Sequence, residues 1–529
     1  MTDHIFVSFL WHMHQPYYRL PGSQETPLPW VRLHGTKSYY DMARILQDHP
    51  HARGNFNLVP SLLNQLELYQ QRQLTDRYLK ISKKRPEELD PEEKRFLLQN
   101  FFDTNWKRNI DPYPGYRRLL DKRNNAVNPD IEAFSDQEYL DLIVWFNLAW
   151  LGETVRGTDH EIEELLKKGT QFTTAERDYV LETQFRILEQ VIPLYQTLDE
   201  TDQAELSTTP FYHPILPLII DTGIARRAQP KIDLPKRFSF SEDAEYQVHS
   251  ALEYHENLLG NRPKGMWPAE GAVSPEIVPI LAWNGVRWIA TDEEILMHSV
   301  SVKPKDELAE LHYRPYRYAV GGDEITILFR DAELSNRISF SYHQWPAEQA
   351  AENLVSYLTE IGKAWSENRP PLVLIALDGE NPWEHYERNG KPFLDALYTK
   401  LVEAQEVEMT TIDRYLDAFA PDRALESLHS GSWNSADFRI WIGDPEHTQA
   451  WELLRKTREA VAASGDQERV EQALPYLYIT EGSDWFWWYS RTYNSKDDPV
   501  FDWLFRENLK AAYRALGATP PAELGRSIL

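Results

Sequence analysis

Residues 372–384 read LVLIALDGENPWE, in which six consecutive apolar residues end abruptly at Asp378. A continuous apolar run of this length is typical of a strand that is buried on both faces of a parallel sheet. Six earlier runs rich in strand-forming residues also end in polar or ionisable residues. The seven predicted strands cover residues 5–11, 52–57, 205–209, 264–267, 286–291, 325–329 and 372–377.

Most of these runs are separated by stretches long enough to hold a crossover helix, which parallel strands require. An α/β barrel satisfies this order of elements, and in such barrels the loops after the strands build the active site. Polar residues that follow the strands, such as His12, His213, Glu270, Asp331 and Asp378, therefore fall at one predicted mouth.

Two regions depart from the alternation of strand and helix. Residues 61–200 form a long insertion dominated by helical signals, such as the amphipathic stretch 174–198, and we expect it to cap the mouth. After Asp378 the pattern becomes helical again. The predicted organisation is a barrel domain over 1–390 that carries the insertion, followed by a helical bundle over 391–529 that completes the cleft.

Composition excludes several classes of protein. The 529 residues include 56 Lys+Arg and 82 Asp+Glu, and the resulting charge of −26 disfavours nucleic acid as a partner. The absence of cysteine excludes disulfides, cysteine-ligated zinc and thiol nucleophiles, and it fits a reducing compartment. No apolar run approaches the ~20 residues of a membrane span, and the first residues lack the basic segment of a secretory signal. We therefore predict a cytoplasmic protein that binds no membrane.

Two carboxylates stand out among the residues after the strands. Glu270 lies in GMWPAEG (265–271) and Asp378 lies in ALDGENPWE (376–384), each beside Trp, Pro and Gly. Cleavage of a glycosidic bond usually needs two carboxyl groups, of which one donates a proton and the other attacks or activates water. A helix cap or a surface ion pair would explain one such acid, but two at one barrel mouth favour catalysis. The 18 Trp and 27 Tyr are suited to stacking on sugar rings.

The pair His12 and His14 after the first strand allows a competing interpretation. An HxH pair at this position is typical of metal-dependent barrel hydrolases, and further ligands would have to come from other strand ends. Residue type alone permits His213, Asp292, Asp331 and Asp378 in that role. The histidines could also be hydrogen-bonded packing residues. The segment continues into Gln15-Pro-Tyr-Tyr, which suits sugar hydroxyls better than a closed metal shell.

Taken together, these segments resemble glycoside hydrolase family 57, whose members act on α-glucans with retention of configuration. The motifs that carry the resemblance are HMHQPY (12–17), GNFNLVP (54–60), FYHPIL (211–216), MWPAEGAVS (266–274), FRD (329–331) and ALDGENPWE (376–384). The resemblance implies an incomplete seven-stranded (β/α) barrel followed by a helical domain. It also implies that Glu270 is the nucleophile, that Asp378 is the general acid/base, and that no metal or organic cofactor is needed.

The resemblance further implies that His14, with His12 and His213, holds hydroxyls of the sugar at the cleavage point. The remaining residues predicted to bind substrate are Gln15, Trp267, Asp331, Glu380, Trp383, Trp433 and Trp485. The surroundings of Glu270 and Asp378 look most like those of the α-amylase and amylopullulanase members, and the chain lacks the cysteine expected near the nucleophile of branching enzymes.

We therefore predict an enzyme that hydrolyses α-1,4-glucans, with α-1,6 bonds as a further candidate and an α-glucan as its partner. A 4-α-glucanotransferase or branching enzyme on the same scaffold, a non-catalytic glucan-binding homologue and a metal-dependent barrel hydrolase stay open as alternatives. The sequence leaves the oligomeric state undetermined.

Overall fold

A parallel barrel of seven strands forms the centre of the molecule. The computed structural model describes residues 4–124, 128–300 and 311–529. The barrel strands, numbered β1 to β7 in chain order, are Ile5–Met13, Gly54–Leu58, Ala204–Ser207, Gly265–Met266, Trp288–Asp292, Asp323–Arg330 and Leu372–Asp378. Each corresponds to one of the seven predicted runs, so the predicted α/β barrel is confirmed.

Strand pairing follows a nearly closed circuit. β1 lies between β7 and β2, and β2 pairs with β3. β4 pairs with β5, β5 with β6 and β6 with β7. Two of these strand pairs have few contacts. β6 pairs with β7 at a single position, Leu374 with Arg330, and β3 contacts β4 only through the bridge between Thr208 and Met266. The barrel is therefore nearly, rather than fully, hydrogen-bonded around its circumference.

The register of β1 and β7 places two candidate site residues side by side. The pairing runs from Phe6 opposite Leu372 to His12 opposite Asp378. Both strands are buried on both faces, which explains their continuous apolar runs. His12 and Asp378 therefore lie at the same edge of the barrel, where the carboxyl ends of the strands form the mouth.

Short strands extend this sheet beyond the barrel. Tyr316–Val320 pairs antiparallel with β6, Val407–Met409 pairs with the start of β1, and Arg423–Ala424 pairs with Tyr316–Val320. Sheet pairing thus continues past the boundary predicted at residue 390, and the division of the chain into domains stays a prediction. A separate small sheet joins Glu25–Thr26 to Thr75–Asp76.

Helices occupy the insertion between β2 and β3, and they surround their own apolar cluster, which includes Trp145, Phe146 and Tyr116. Several begin at a side-chain cap, such as Ser135 with Glu138 and Thr173 with Glu176. The α-helices of the insertion are Pro60–Gln70, Arg77–Lys83, Pro91–Asn100, Pro114–Arg123, Asp136–Ala149, Glu153–Arg156, His160–Lys168 and Thr174–Glu200.

The other α-helices surround the barrel or follow it. Those between or beside the strands are Trp30–His34, Tyr40–Gln47, Leu216–Ile220, Ala225–Ala228, Ser241–Leu259, Ile277–Trp283, Glu293–Val300, Ala332–Asn336, Ala347–Ala364, Lys391–Glu403 and Ile412–Ala418. The last four are Pro445–Ala462, Gln467–Thr480, Ser483–Tyr489 and Asp498–Ala515. In the ranges that the structure describes, no helix has both the length and the apolar character needed to cross a membrane.

The short helix Ser483–Tyr489 reaches the barrel mouth. Its first turn follows Gly482, which forms a bridge with Pro214 in the loop after β3. The Ser483 N–H donates to the carbonyl of His213 at 2.9 Å. This contact fixes the carboxy-terminal helices against the edge of the barrel where the candidate site lies.

Candidate active site

Glu270 is held in an uncommon backbone conformation after β4. Its φ is 59°, in the left-handed region that non-glycine residues rarely adopt, and Gly271 follows with the same φ. The Trp433 backbone N–H donates to the Glu270 carbonyl at 3.0 Å, and the Trp433 indole N–H donates to Glu270 Oε2 at 2.8 Å. Trp433 thus fixes the carboxylate through two bonds, while 14% of the side chain stays exposed at the mouth.

Asp378 ends β7 beside His12. The Gly379 N–H donates to the His12 carbonyl at 2.8 Å, which extends the ladder by one residue. A Cβ on Gly379 would lie 2.1 Å from Met13 Sδ, so a side chain at this position would have to displace Met13. Asn381 donates from Nδ2 to Asp378 Oδ2 at 2.8 Å. The turn therefore supplies both the position of the carboxylate and a hydrogen-bond donor to it.

Burial raises the pKa of both carboxyl groups, but the two differ in their neighbours. The side chain of Asn381 and the positive charges of His14 and Arg330 lower the pKa of Asp378 against the effect of burial. Burial and the charge of Asp378 raise the pKa of Glu270 to about 8, although Trp433 donates to it. We therefore assign the first ionisation of the pair to Asp378, whose charge then holds the remaining proton on Glu270 in the unliganded site.

A directed chain of hydrogen bonds orients His12 and His213. Asn57 Nδ2 donates to the Thr208 carbonyl at 2.6 Å, so its Oδ1 is the acceptor for His12 Nδ1 at 2.8 Å. His12 Nε2 lies 3.1 Å from His213 Nε2, and His213 Nδ1 lies 2.8 Å from the Ser483 hydroxyl. Burial lowers the pKa of His12 to about 3 and that of His213 well below its usual value. Both rings are neutral, so His213 donates to His12 and Ser483 donates to His213.

His14 stacks on this chain. Its ring lies 3.8 Å from that of His213, nearly parallel to it, and its Nε2 is 2.8 Å from Asp484 Oδ1. Among the residues that the structure describes, no partner lies within hydrogen-bond distance of the buried His14 Nδ1. That nitrogen is available to a sugar hydroxyl, because a buried polar atom needs a partner.

The histidines do not have the geometry of a metal centre. His14, His213 and Asp484 place ligand atoms within 4.8 Å of one another, and they are the one such group among the described residues. Both nitrogens of His213 are already hydrogen-bonded, and stacked parallel rings direct their lone pairs side by side rather than toward one point. The remaining ligands that the metal interpretation needs are also engaged elsewhere. Asp292 Oδ2 lies 2.6 Å from Arg330 Nε in a buried ion pair.

Asp331 has a structural role. Its Oδ1 accepts the Leu334 N–H at 2.8 Å as the cap of helix Ala332–Asn336, and its Oδ2 accepts the Tyr313 hydroxyl at 3.1 Å. Both oxygens of Asp331 thus have partners inside the protein, and binding of sugar by Asp331 stays a prediction.

Gln15 and Glu380 form a buried pair below the histidines. Gln15 Nε2 lies 3.4 Å from Glu380 Oε1, which also accepts the Tyr39 hydroxyl at 3.1 Å. Burial and the charge of Asp378 hold the pKa of Glu380 well above its usual range. Glu380 Oε2 is buried and has no hydrogen-bond partner among the described residues. This buried pair supports the residues at the barrel mouth from below. Direct binding of substrate by Gln15 or Glu380 stays a prediction.

Three of the four tryptophans predicted to bind substrate lie in the core. Trp383 and Trp485 are each 1% exposed, and their indole N–H groups donate to the carbonyls of Gly379 and Ile479. Trp267 is fully buried against Trp433. The prediction that these three rings stack on sugar is corrected, because they have no face at the surface. Trp433 does line the cleft, and Arg330 lies 4.8 Å above its ring.

The cleft beside Asp378 has a volume of about 520 Å³. Residues that we did not single out line it, including Arg330, Phe340, Asn381, Trp487 and Tyr493. Trp487 and Tyr493 stack with ring centroids 4.5 Å apart, and Phe340 is 69% exposed. The sequence carries a signal for two of them, because Arg330 belongs to the FRD motif and Trp487 lies in the tryptophan-rich stretch 485–488. Aromatic rings with a few converging polar groups suit a sugar ligand.

Comparison with known proteins agrees with this arrangement. The model of the family described as glycosyl hydrolase family 57 matches residues 8–427. An α-amylase of Pyrococcus abyssi is 24% identical over 234 residues, which are 44% of this chain and 30% of that protein. A 4-α-glucanotransferase of Thermococcus litoralis is 26% identical over 246 residues, which are 46% of this chain and 31% of that protein. The chain thus matches less than a third of the length of these curated relatives.

A similar fold occurs in a solved structure. The branching enzyme of Pyrococcus horikoshii superposes with a TM-score of 0.62 at 16% identity, over 97% of this chain and 90% of that one. At this identity the likeness shows the fold alone. The family model, in contrast, covers more than three quarters of the chain and includes most of β1, all of β2 to β7, Glu270 and Asp378. The chain is accordingly a member of glycosyl hydrolase family 57.

Proposed function

We propose that the protein cleaves α-1,4-glucans with retention of configuration, with Glu270 as nucleophile and Asp378 as general acid/base. The observation that carries this proposal is that two partly buried carboxyl groups, each held by a hydrogen-bond donor, follow β4 and end β7 at one barrel mouth, where the charge of Asp378 raises the pKa of Glu270. A pair that shares one proton can be in the state that retaining cleavage requires, with one member ionised and the other protonated.

The first half of the reaction transfers this proton from the pair to the substrate. Once the proton moves to Asp378, the Glu270 carboxylate attacks the anomeric carbon while Asp378 protonates the leaving glycosidic oxygen. The Trp433 indole N–H holds Glu270 Oε2, so Oε1 is the oxygen left for bond formation. In the second half, the Asp378 carboxylate takes a proton from water, whose oxygen displaces Glu270 from the sugar.

The stacked histidines would hold the sugar at the cleavage point. His14 presents the unpartnered Nδ1, while Asp484 and His213 fix the plane of its ring. Imidazole nitrogens suit this task, because a sugar hydroxyl both donates and accepts hydrogen bonds.

Transfer to a second glucan is the alternative outcome of the same intermediate. Relatives of the chain include proteins described as α-amylase and as 4-α-glucanotransferase, so the names of the relatives do not separate hydrolysis from transfer. A sugar hydroxyl that replaces water at the glycosyl-enzyme gives a longer chain instead of a shorter one. Cleavage of α-1,6 bonds is a further part of the proposal. So is a location in the cytoplasm, which the absence of cysteine favours.

The products of purified protein test the proposal. Incubation with maltoheptaose is expected to give shorter maltooligosaccharides, and incubation with pullulan is expected to give maltotriose if α-1,6 bonds are also cleaved. Longer products beside shorter ones would assign transferase activity. Unchanged maltoheptaose, in a protein that still binds it by calorimetry, would identify a non-catalytic glucan-binding homologue and would refute the proposal.

Removal of metal is expected to leave this activity unchanged. The catalytic steps use two carboxyl groups, and both nitrogens of His12 and of His213 are engaged in hydrogen bonds. The measurement compares the rate on maltoheptaose before and after dialysis against EDTA, together with the zinc content of the protein. A loss of activity that zinc restores would instead assign the protein to the metal-dependent hydrolases.

A further inference from the structure

A second cavity, also of about 520 Å³, opens beside the cleft that contains Asp378. We name it the insertion cavity, because the insertion between β2 and β3 supplies Asn105, Trp106 and Trp150 to its wall, and Trp30 faces them. Trp106 is 40% exposed, and its indole N–H donates to the Phe102 carbonyl at 2.9 Å, so the ring is held in place with a free face.

The two cavities share a wall made of Asn381 and His385. Asn381 is the residue that donates to Asp378. His385 is fixed from the insertion, because Asn105 Nδ2 lies 3.3 Å from its Nδ1 and Arg108 Nε donates to its carbonyl at 2.9 Å. A ligand that extends from one cavity to the other therefore passes directly beside the candidate acid/base.

The polar groups of the insertion cavity suit a neutral polyhydroxyl ligand. Lys37, a buried cation beside this wall, lies 2.9 Å from Glu384, whose pKa this ammonium group helps to lower. Asp103, which also lines the cavity, forms an ion pair with Lys496, so both of these cations are paired with a carboxylate rather than free to bind a phosphate. The cavity does offer the carboxylate and amide groups of Glu384, Asn105 and Asn381 as hydrogen-bond partners, together with the rings of Trp30 and Trp106.

The position of the insertion cavity also indicates which part of a glucan it would bind. Glu270 attacks the anomeric carbon from the side opposite to the leaving oxygen, so the leaving chain lies on the side of that carbon that is near Asp378 and away from Glu270. The insertion cavity borders Asn381, Glu384 and His385, which all follow Asp378, whereas Trp433, the partner of Glu270, lines only the first cleft of the two.

We propose that the insertion cavity binds the leaving segment of the α-glucan and, during transfer, the acceptor chain. This inference rests on the proposed function of Glu270 and Asp378. In the transfer step, an acceptor hydroxyl oxygen forms a bond to the anomeric carbon as the bond from that carbon to Glu270 breaks. Glu270 leaves as a carboxylate, and Asp378 takes the hydroxyl proton. The occupant of the insertion cavity therefore decides between water and a sugar hydroxyl as acceptor.

The variant Trp106→Ala tests the inference, with Trp283→Ala as a matched control. Trp283 is also an exposed indole with one hydrogen bond, from its N–H to Asp323 Oδ1, but it ends the helix before β5 and so lies at the opposite end of the barrel. We expect Trp106→Ala to raise KM for maltoheptaose about tenfold and to lower the fraction of longer products. The same variant is expected to leave KM for the short substrate maltosyl fluoride unchanged, and Trp283→Ala is expected to behave as wild type throughout.

Calorimetry of maltoheptaose binding separates this inference from the proposed function. If wild type binds maltoheptaose without cleaving it and Trp106→Ala weakens that binding, the proposed function fails and the insertion cavity stands as a glucan site. If wild type is active and Trp106→Ala matches Trp283→Ala in KM, products and affinity, the inference is overturned while the proposed function stands. If no variant binds or cleaves maltoheptaose, both are refuted.

Discussion

Replacement of Glu270 by Gln is expected to lower kcat on maltoheptaose by about 10⁴-fold or more, because it removes the group that forms the covalent intermediate. Glutamine has the same shape and can keep the hydrogen bond from the Trp433 indole, so the loss reports chemistry rather than a changed fold. Thermal melting of the variant should match that of wild type or rise, since a buried carboxyl group whose pKa is raised to about 8 is replaced by a neutral amide.

The stereochemistry of the product then shows whether Glu270 is the nucleophile. In Glu270→Gly, azide can enter the space of the lost carboxylate and convert α-maltosyl fluoride into β-maltosyl azide by a single inverting displacement. Glu276→Gln is the matched control, because Glu276 follows in the same loop but forms a surface ion pair with Arg227. We expect full activity from Glu276→Gln. Retention of activity by Glu270→Gln would assign the nucleophile elsewhere.

Replacement of Asp378 by Asn is expected to lower kcat on maltoheptaose by about 10²–10⁴-fold, because the leaving oxygen loses its proton donor. The same change should lower the pKa of Glu270. In wild type that pKa is raised to about 8 by burial and by the charge of Asp378, and the asparagine carries no charge. Removal of a negative neighbour favours the ionised form of Glu270, so the shift must be downward.

The pH dependence of kcat/KM reports this shift, measured on maltoheptaose for wild type and on an activated aryl maltoside for Asp378→Asn. In wild type the reactive form is the pair with one proton, so kcat/KM should fall as pH rises past about 8 and the last proton leaves. An activated aryl group can leave without a proton from the enzyme. On an aryl maltoside, kcat/KM of Asp378→Asn should therefore stay constant as pH rises above the lowered pKa of Glu270. Azide should accelerate this variant and give the α-azide, with retained configuration. An alkaline decline that persists in Asp378→Asn would contradict the assignment of the pair.

The barrel strands could be predicted from the sequence because burial on both faces leaves a local signal. β7 appears as six apolar residues followed by Asp378, and the structure keeps that boundary. The same reasoning placed Glu270 and Asp378 at the mouth, since the carboxyl ends of parallel strands meet at one edge. The family motifs also cover β1, so His12 and His14 were found with them.

The surroundings of the site could not be predicted in the same way. The exposure of a tryptophan depends on which helix packs over it, so Trp485 and Trp487, two residues apart on helix Ser483–Tyr489, differ in whether they line the cleft. The tautomers of His12 and His213 depend on Asn57 and Ser483, which are distant in sequence. The small sheet extension at Val407–Met409 has only three residues, too few for a periodic signal.

The contribution of helix Ser483–Tyr489 has a consequence for how the protein is made. Ser483 lies 270 residues after His213, and Asp484 lies 470 residues after His14. During synthesis the amino-terminal part can begin to fold first, but its histidines lack their orienting partners until almost the whole of residues 1–529 has left the ribosome. On the proposed function, a nascent barrel is therefore expected to cleave no glucan until translation has passed residue 484.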